Sequence, residues 1–216
     1  MRPSPRLALL RLELPDRQRH VPGQHYVVRL TAEDGYTASR SYSLASSPND
    51  PLLELAVERL VEGEVSGYLT EVARPGDAFE VRGPIGGYFV WDATTPAICI
   101  GAATGVVPFV SMLRYAAEVG RRDLLRLVVA ARTMSDLPYS AELIAAGATV
   151  ALSREATDTR RAAGRLTAAD LAPVLIDGAT YFVCGSAVFA EAATQLLIAV
   201  GVPARAIKVE RFGPSA

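Results

Sequence analysis

The sequence predicts two domains, an N-terminal antiparallel β-barrel and a C-terminal α/β domain with a parallel sheet. In roughly the first 90 residues, short alternating or apolar runs are separated by turn signals, which is typical of small antiparallel barrels. From about Pro96, apolar runs of strand length alternate with helical patterns, as in a parallel sheet with covered faces. We therefore expect a boundary near residues 91–96, with domains at 1–92 and 93–216.

The predicted barrel strands follow from apolar runs and period-two alternation. They lie at 6–14, 25–30, 40–47, 52–60 and 78–83. One helical pattern, "VSGYLTEVA" at 65–73, interrupts them. Ser66 is its expected N-cap, since a Ser hydroxyl can accept a hydrogen bond from a free N–H of the first turn.

The predicted α/β domain alternates strands with helices. Its strands lie at 97–100, 124–130, 149–152, 180–184 and 207–212. Its helices lie at 107–119, 140–146, 166–175 and 186–200. Gly120 and Gly201 stand directly after two of these helices, where glycine commonly ends a helix.

Composition excludes several classes of function. The formal net charge of −1 gives no electrostatic reason to expect nucleic-acid binding. No apolar run approaches the roughly 20 residues that span a bilayer, so no membrane span is expected. Two cysteines and two histidines are too few for a structural zinc site or a Cys-ligated cluster, so no metal is expected. Without a disulfide framework, the cytoplasm is the expected location.

The segment "AICIGAATGVVPF" is a candidate anion site. A buried strand is expected to end at Ile100, and a helix to begin near Pro108 after a Gly/Ala-rich turn. Backbone N–H groups at such a turn, with the helix N-terminus, favour phosphate. The segments 101–107, 132–136, 153–155 and 184–187 should share this edge of the sheet. An ordinary tight turn without a ligand remains an alternative for "GAATG" alone.

A second candidate lies in the barrel. "RSYSLASS", at 40–47, offers a cation, an aromatic ring and several hydroxyls on one strand. In "GEVSGYL", Gly63 permits an unusual backbone angle and Ser66 is expected to cap the helix. Arg40 near that helix N-terminus could complete a pyrophosphate site. An ordinary capped helix and a surface arginine are the alternatives.

Together these motifs resemble the ferredoxin–NADP reductase family. "RSYS" followed by "GEVS" is similar to its paired flavin-binding motifs, and "GAATGVVPF" resembles its nicotinamide-dinucleotide loop. "AARTMSDLPYSAEL", "CGSAVF" and "ERFGP" match further family segments in the same order. The resemblance runs from about residue 22 to residue 214, nearly the whole chain.

The resemblance implies sites for FAD and for NAD(P)H. The implied FAD-binding residues are Arg40, Tyr42, Ser43, Gly63, Val65, Ser66 and Phe212. The implied dinucleotide-binding residues are Gly101, Thr104, Gly105, Pro108, Arg132, Ser153, Arg154, Arg165 and Gly185. Those implied at the reacting centre are Ser43, Cys184 and Glu210.

The implied function is a FAD-dependent NAD(P)H oxidoreductase that passes electrons to a separate acceptor such as a ferredoxin, a flavodoxin or an oxygenase component. The sequence carries no plant-type "C-x4-C-x2-C" ferredoxin motif, so no attached ferredoxin domain is expected. A flavin or quinone reductase, and a non-catalytic electron-transfer or redox-sensing subunit, are alternatives. Ser153, Arg154 and Arg165 favour NADPH over NADH, with further arginines at 160 and 161, whereas Glu155 could bind the ribose of NADH.

Two features depart from the family pattern. Ala103 stands where the family usually has glycine, which predicts a tighter pyrophosphate loop. The chain also continues beyond Phe212, whereas plant-type members end on the aromatic residue that covers the flavin. Whether Phe212 shields the flavin is therefore open from sequence.

Overall fold

The computed structural model describes residues 6–157 and 161–212. Its N-terminal part consists of antiparallel strands, β1 Leu7–Leu12, β2 His25–Thr31, β3 Thr37–Ser43, β4 Leu53–Glu58 and β5 Glu80–Ile85. They form two sheets, β1–β4 and β3–β2–β5, and a single bridge between Leu44 and Leu55 joins the end of β3 to β4. Alternate residues of these strands point into a common core, because successive side chains of a strand face opposite sides.

The helical segment between β4 and β5 differs from its prediction. The helix α1, Glu64–Gly67, begins one residue before the predicted start and continues as a π-helical turn, Tyr68–Val72. Its N-cap is Gly63, so the prediction that Ser66 caps this helix was wrong. Ser66 lies inside the helix, where its hydroxyl donates to the Gly63 carbonyl at 3.2 Å and accepts from the Leu60 N–H at 3.2 Å.

The C-terminal part is a five-stranded parallel sheet with helices. The strands are β6 Ala97–Ala102, β7 Leu125–Ala131, β8 Thr149–Leu152, β9 Thr180–Ser186 and β10 Ile207–Phe212. Their order is β10–β9–β6–β7–β8. The helices are α2 Val107–Glu118, α3 Ser140–Ala145, α4 Ala168–Leu171 and α5 Ala187–Ala199. The predicted fold class, antiparallel sheet followed by parallel α/β, is confirmed.

Several predicted ends shift. The predicted helix at 166–175 is reduced to α4 and a 3-10 turn, Ala172–Val174, because Pro173 cannot donate within a continuing α-helix. β6 runs two residues beyond Ile100, and β9 runs to Ser186 rather than ending at Cys184. Gly120 and Gly201 follow α2 and α5 with φ of 69° and 93°, as helix-ending glycines do.

One apolar cluster joins the two parts of the chain. Phe89, in the segment after β5, packs its ring against Phe109 of α2 at 6.0 Å and against Phe182 of β9 at 5.2 Å between centroids. Leu7 and Ala56 of the first sheet belong to the same buried cluster. The antiparallel strands and the parallel sheet therefore share a core. Over 6–157 and 161–212, no helix has both the length and the apolarity to cross a membrane.

Candidate functional site

Cys184 and Glu210 lie side by side where β9 and β10 meet. The two residues are paired in register, and Gly101 of β6 pairs with Cys184 on its other side. Burial raises the pKa of Glu210 to about 7. Burial, followed by the charge of Glu210, raises the pKa of the Cys184 thiol well above its ordinary value. At neutral pH this pair therefore consists of a neutral thiol beside a carboxyl group that can hold a proton.

Three buried side-chain oxygens lack a hydrogen-bond partner within the described ranges: Ser43 Oγ, Glu210 Oε2 and Tyr26 Oη. Ser43 ends β3 and is 5% exposed. Buried polar atoms are normally paired, so each such atom calls for an explanation. Of these three residues, Ser43 and Glu210 were predicted for the reacting centre. A ligand with polar atoms near both oxygens would supply their missing hydrogen bonds. The residues present thus fit a bound flavin and nicotinamide.

Arg40 and Tyr42 lie two residues apart on β3, so their side chains share one face of the strand, and the Ser43 side chain faces the other side. Burial raises the pKa of the half-buried Tyr42 to about 12, so its phenol stays neutral. Arg40 is exposed, and its guanidinium donates to the Ser39 carbonyl at 2.7 Å. Across the described chain it has no acidic partner, which leaves its charge available to an anion.

The turn at Gly63 depends on close packing between Gly63 and the Ser66 side chain. Gly63 has φ of −81°, so the expected unusual backbone angle is absent there, and the preceding Glu62 has the positive φ of 59°. A Cβ on Gly63 would stand 2.3 Å from Ser66 Oγ. Glycine is needed because the Ser66 hydroxyl packs against it. Val65 is 1% exposed in the barrel core, so only its backbone could face a ligand.

The loop after β6 forms a 3-10 turn, Ala103–Val106, that leads into α2 with Pro108 in its first turn. A Cβ on Gly105 would lie 2.3 Å from the Cys184 carbonyl oxygen, and one on Gly101 would lie 2.8 Å from the Phe109 ring. These glycines therefore let the loop pack on β9 and α2. Ala103 has φ of 49°, a left-handed conformation that explains why glycine suits this position.

Two further contacts shape this region. The Thr104 hydroxyl donates to Glu58 Oε2, at the end of β4, at 3.1 Å. Sequence reasoning missed Glu58, because no local pattern marks a partner 46 positions away. A Cβ on Gly185 would stand 2.8 Å from the Phe189 ring, so that glycine allows α5 to pack on β9. Phe212, at the end of β10, is half-buried against the shared core, and residues 213–216 lie outside the described ranges.

A third group of predicted residues follows β7 and β8. The Arg154 N–H donates to the Arg132 carbonyl at 2.9 Å, which places the two residues together beside Ser153. Both arginines and Arg165 are exposed, and none of their side chains has a hydrogen bond or ion pair within 6–157 and 161–212. The carboxylate of Glu155 accepts the Met134 N–H.

The arginines of "TRR" do not share this arrangement. Arg161 forms an ion pair with Asp170 at 2.6 Å and donates to carbonyls of its own loop, so its side chain is committed to the fold. Hydrogen bonds from Arg161 make the largest contribution to lowering the pKa of Asp170, to about 2. Arg160 lies outside the described residues. Exposed, unpaired positive charge here is thus carried by Arg132, Arg154 and Arg165.

Comparison with known proteins gives concordant matches. Residues 2–90 match the model of the oxidoreductase FAD-binding domain. The reductase component of the naphthalene 1,2-dioxygenase/salicylate 5-hydroxylase systems of Ralstonia sp. is 29% identical over 217 residues, covering 95% of this chain and 64% of that protein. The flavohemoprotein of Chromobacterium violaceum is 30% identical, covering 89% of this chain and 52% of that protein.

Solved structures agree with these matches. The flavohem-like FAD/NAD-binding domain of nitric oxide dioxygenase from Vibrio cholerae has a TM-score of 0.84 and 25% identity, covering 97% of this chain and 93% of that one. A ferredoxin NADP+ reductase from Neisseria gonorrhoeae with bound FAD and NADP has a TM-score of 0.75 and 17% identity, covering 97% of this chain and 94% of that one. At 17% identity, the similarity to this second structure shows the fold alone.

The chain has the two-part architecture of flavin-dependent reductases of the ferredoxin–NADP reductase type, which confirms the resemblance seen in its motifs. Over residues 2–90 the chain is similar to the oxidoreductase FAD-binding domain family. The chain spans between 34% and 64% of the length of the first curated relatives it matches.

Proposed function

We propose that this chain is a FAD-dependent NAD(P)H oxidoreductase that takes a hydride from NAD(P)H and passes electrons to a separate acceptor. The observation that carries the proposal is the pair of buried, unpartnered polar atoms Ser43 Oγ and Glu210 Oε2, one on β3 and one on β10. A ligand that reached both atoms would supply the missing hydrogen bonds. The FAD-binding domain match over 2–90 supports the identity of that ligand.

Residues of the barrel would hold FAD. The exposed guanidinium of Arg40 suits a pyrophosphate, because a charge-assisted hydrogen bond to phosphate is strong and directional. The Tyr42 ring offers a neutral, stackable surface, and the Gly63–Ser66 turn, which follows β4, offers backbone groups. Phe212 offers a second ring at the end of β10. Bound FAD supplies an acceptor for two electrons at once and a donor of single electrons.

Three side chains would act at the reacting centre. The Ser43 hydroxyl would donate to the reacting nitrogen of the flavin ring and fix its orientation. Cys184 stays a neutral thiol, because burial raises its pKa, and would provide a small surface beside the nicotinamide together with Gly185. Glu210, with a pKa of about 7, would hold a proton at Oε2 near the same position.

The dinucleotide would bind along the parallel sheet. The loop carrying Gly101, Thr104 and Gly105 leads into α2. The N-terminus of this 12-residue helix, where Pro108 lies, would favour a pyrophosphate. We favour NADPH over NADH, because the unpaired side chains of Arg154 and Arg165, with Arg132 and Ser153, suit a 2′-phosphate. Glu155 suits the NADH ribose less well, since it already accepts the Met134 N–H.

The acceptor would be a separate ferredoxin, flavodoxin or oxygenase component. Several relatives are named as reductase or electron-transfer components of oxygenases, including that of toluate 1,2-dioxygenase from Pseudomonas putida. We also propose the domain limits 1–92 and 93–216, because β5 ends at Ile85 and β6 begins at Ala97.

Anaerobic stopped-flow reduction of the FAD-loaded protein tests the proposal. Mixing with NADPH should bleach the flavin absorbance faster than mixing with NADH, in a single turnover. A protein that holds FAD but is bleached by neither dinucleotide would be an electron-transfer or sensing subunit. A protein that releases its flavin on reduction and turns over only with free flavin or quinone would be a flavin or quinone reductase.

A further inference from the structure

One face of α2 is joined to the barrel from Ser111 to Glu118, the last residue of the helix. Ser111, Arg114 and Glu118, spaced by three and four residues, share this face. The Ser111 hydroxyl donates to the Ser46 carbonyl at 2.7 Å, and the Glu118 carboxylate accepts from Asn49 at 2.8 Å and from the Ser47 hydroxyl. The barrel partners follow directly after β3, which carries Ser43. α2 is thus fixed against the segment that continues the predicted flavin strand.

Arg114 is the centre of this contact. Its guanidinium donates to Glu54 Oε1 of β4 at 2.8 Å and to the Ala45 carbonyl at 3.0 Å, both in the barrel. Its other nitrogens form a two-pronged pair with Glu142 of α3, with both contacts at 2.9 Å. The Arg114 side chain of α2 therefore connects the barrel to α3, the helix that follows β7.

Tyr139 completes the cluster. Its ring lies under the Arg114 guanidinium, 5.2 Å from centroid to carbon, and its hydroxyl donates to Glu54 Oε1 at 2.9 Å. Tyr139 has φ of 56°, a costly conformation for a bulky residue that persists only when its surroundings hold it. Glu54 is 8% exposed, so its charge requires these partners. The fixed geometry of this Arg114–Tyr139–Glu54 cluster is expected if the cluster sets the orientation of the two parts of the chain.

We propose that Arg114 is a positioning residue that fixes the orientation of the parallel sheet relative to the barrel. The inference rests on the proposed function in one respect: the orientation sets how Ser43 of the barrel faces Cys184 and Glu210 of the sheet. Arg114 itself touches neither position. It acts through β4 and the segment after β3, and a misplacement of about 1 Å between reacting groups can cost on the order of 100-fold in rate.

The orientation can be measured without flavin. Nitroxide labels on Val61→Cys in the barrel and Val188→Cys in α5 sit at positions 93% and 77% exposed. Cys99 and Cys184 are buried, and the protein without introduced cysteines measures any label they take up. Double electron–electron resonance should give one narrow distance distribution for the parent. In Arg114→Met the distribution should broaden and shift, because the ionic contacts to Glu54 and Glu142 are lost.

Arg161→Met is the matched control. It breaks an ion pair of similar length, to Asp170, that lies wholly within the α/β part, so the label distribution should stay that of the parent. An Arg114→Met distribution equal to that of the parent would overturn the proposal, and so would equal broadening in Arg161→Met. Glu54→Gln keeps the side-chain shape and removes the charge on the barrel side of the Arg114 contact. It should show the same change to a smaller extent, and if Arg114→Met does not fold, an unchanged Glu54→Gln distribution overturns the proposal.

A second readout concerns the loaded protein. In FAD-loaded Arg114→Met, the rate constant for flavin reduction at saturating dinucleotide should fall roughly 10- to 100-fold. The dissociation constant of the dinucleotide should stay within about twofold, since ground-state binding contacts are untouched. An unchanged rate constant would contradict the positioning role. If the loaded parent is reduced by neither dinucleotide, the proposed function fails, and the label distances still decide the role of Arg114.

Discussion

Gly105 packs directly on the main chain of Cys184: a Cβ at position 105 would stand 2.3 Å from the Cys184 carbonyl oxygen. The dinucleotide loop and the end of β9 therefore touch backbone to backbone. We predict that Gly105→Ala forces the two apart and lowers the free energy of unfolding by about 1–3 kcal/mol, the usual cost of overpacking. Urea titration measures the change. Gly164→Ala is the control, because a Cβ there meets nothing within 4 Å, and an equal loss in both variants would contradict the packing argument.

Arg40→Ala should weaken FAD binding by about one to two decades, because a charge-assisted hydrogen bond to phosphate contributes roughly 1.5–3 kcal/mol. Fluorescence titration of the flavin-free protein with FAD measures the dissociation constant. Arg29→Ala is a matched control on the neighbouring strand β2, where the arginine is paired with Glu80 at 3.4 Å. Equal affinity of the parent and Arg40→Ala would remove Arg40 from the FAD site.

Ser43→Ala should have opposite effects on stability and on rate. In the flavin-free protein, removing a buried hydroxyl without a partner should leave the free energy of unfolding unchanged or raise it. With FAD bound, flavin reduction should slow by up to about 100-fold while FAD content stays nearly constant. Cys184→Ala should slow reduction more mildly, because its neutral thiol contributes packing. A Ser43→Ala protein reduced as fast as the parent would exclude Ser43 from the reacting centre.

Glu210 should make the flavin-free protein less stable as pH rises. Burial raises its pKa from an ordinary 4.5 to about 7, so between these values the folded state binds more protons than the unfolded state. The free energy of unfolding therefore falls as pH rises from about 4.5 to about 7, by up to roughly 3 kcal/mol from this one group. Glu210→Gln should remove that part of the slope. Denaturant titrations at pH 5 and 8 compare the two proteins, and parallel pH profiles would contradict the burial of this carboxyl.

Arg154→Ala should lower kcat/KM for NADPH by about 10- to 100-fold and leave the value for NADH nearly unchanged, since only NADPH carries the 2′-phosphate. Steady-state assays with both dinucleotides measure the ratio. Arg122→Ala changes an exposed arginine before β7, at the opposite edge of the sheet, and should alter neither value. Equal efficiency with both dinucleotides in the parent, or an equal loss of both in Arg154→Ala, would contradict the NADPH assignment.

The order of elements could be read from the sequence because periodicity is local. Alternating runs predicted β2 and β4, and apolar runs bounded by helical patterns predicted all five parallel strands, since each signal needs only its own neighbours. The family motifs were recognised for the same reason. "RSYS" and "GAATG" each hold their chemistry within a few consecutive residues, so their positions on β3 and at the end of β6 followed from the strand assignments.

The tertiary structure decided what depends on distant contacts. It gave Gly63 a steric role against Ser66, and it separated the committed Arg161 from the unpaired Arg154, although both are arginines in polar segments. It brought Glu54 of β4 to Arg114 of α2, 60 positions along the chain. Burial and charge pairing depend on which elements pack together, and no local pattern in the chain encodes that arrangement.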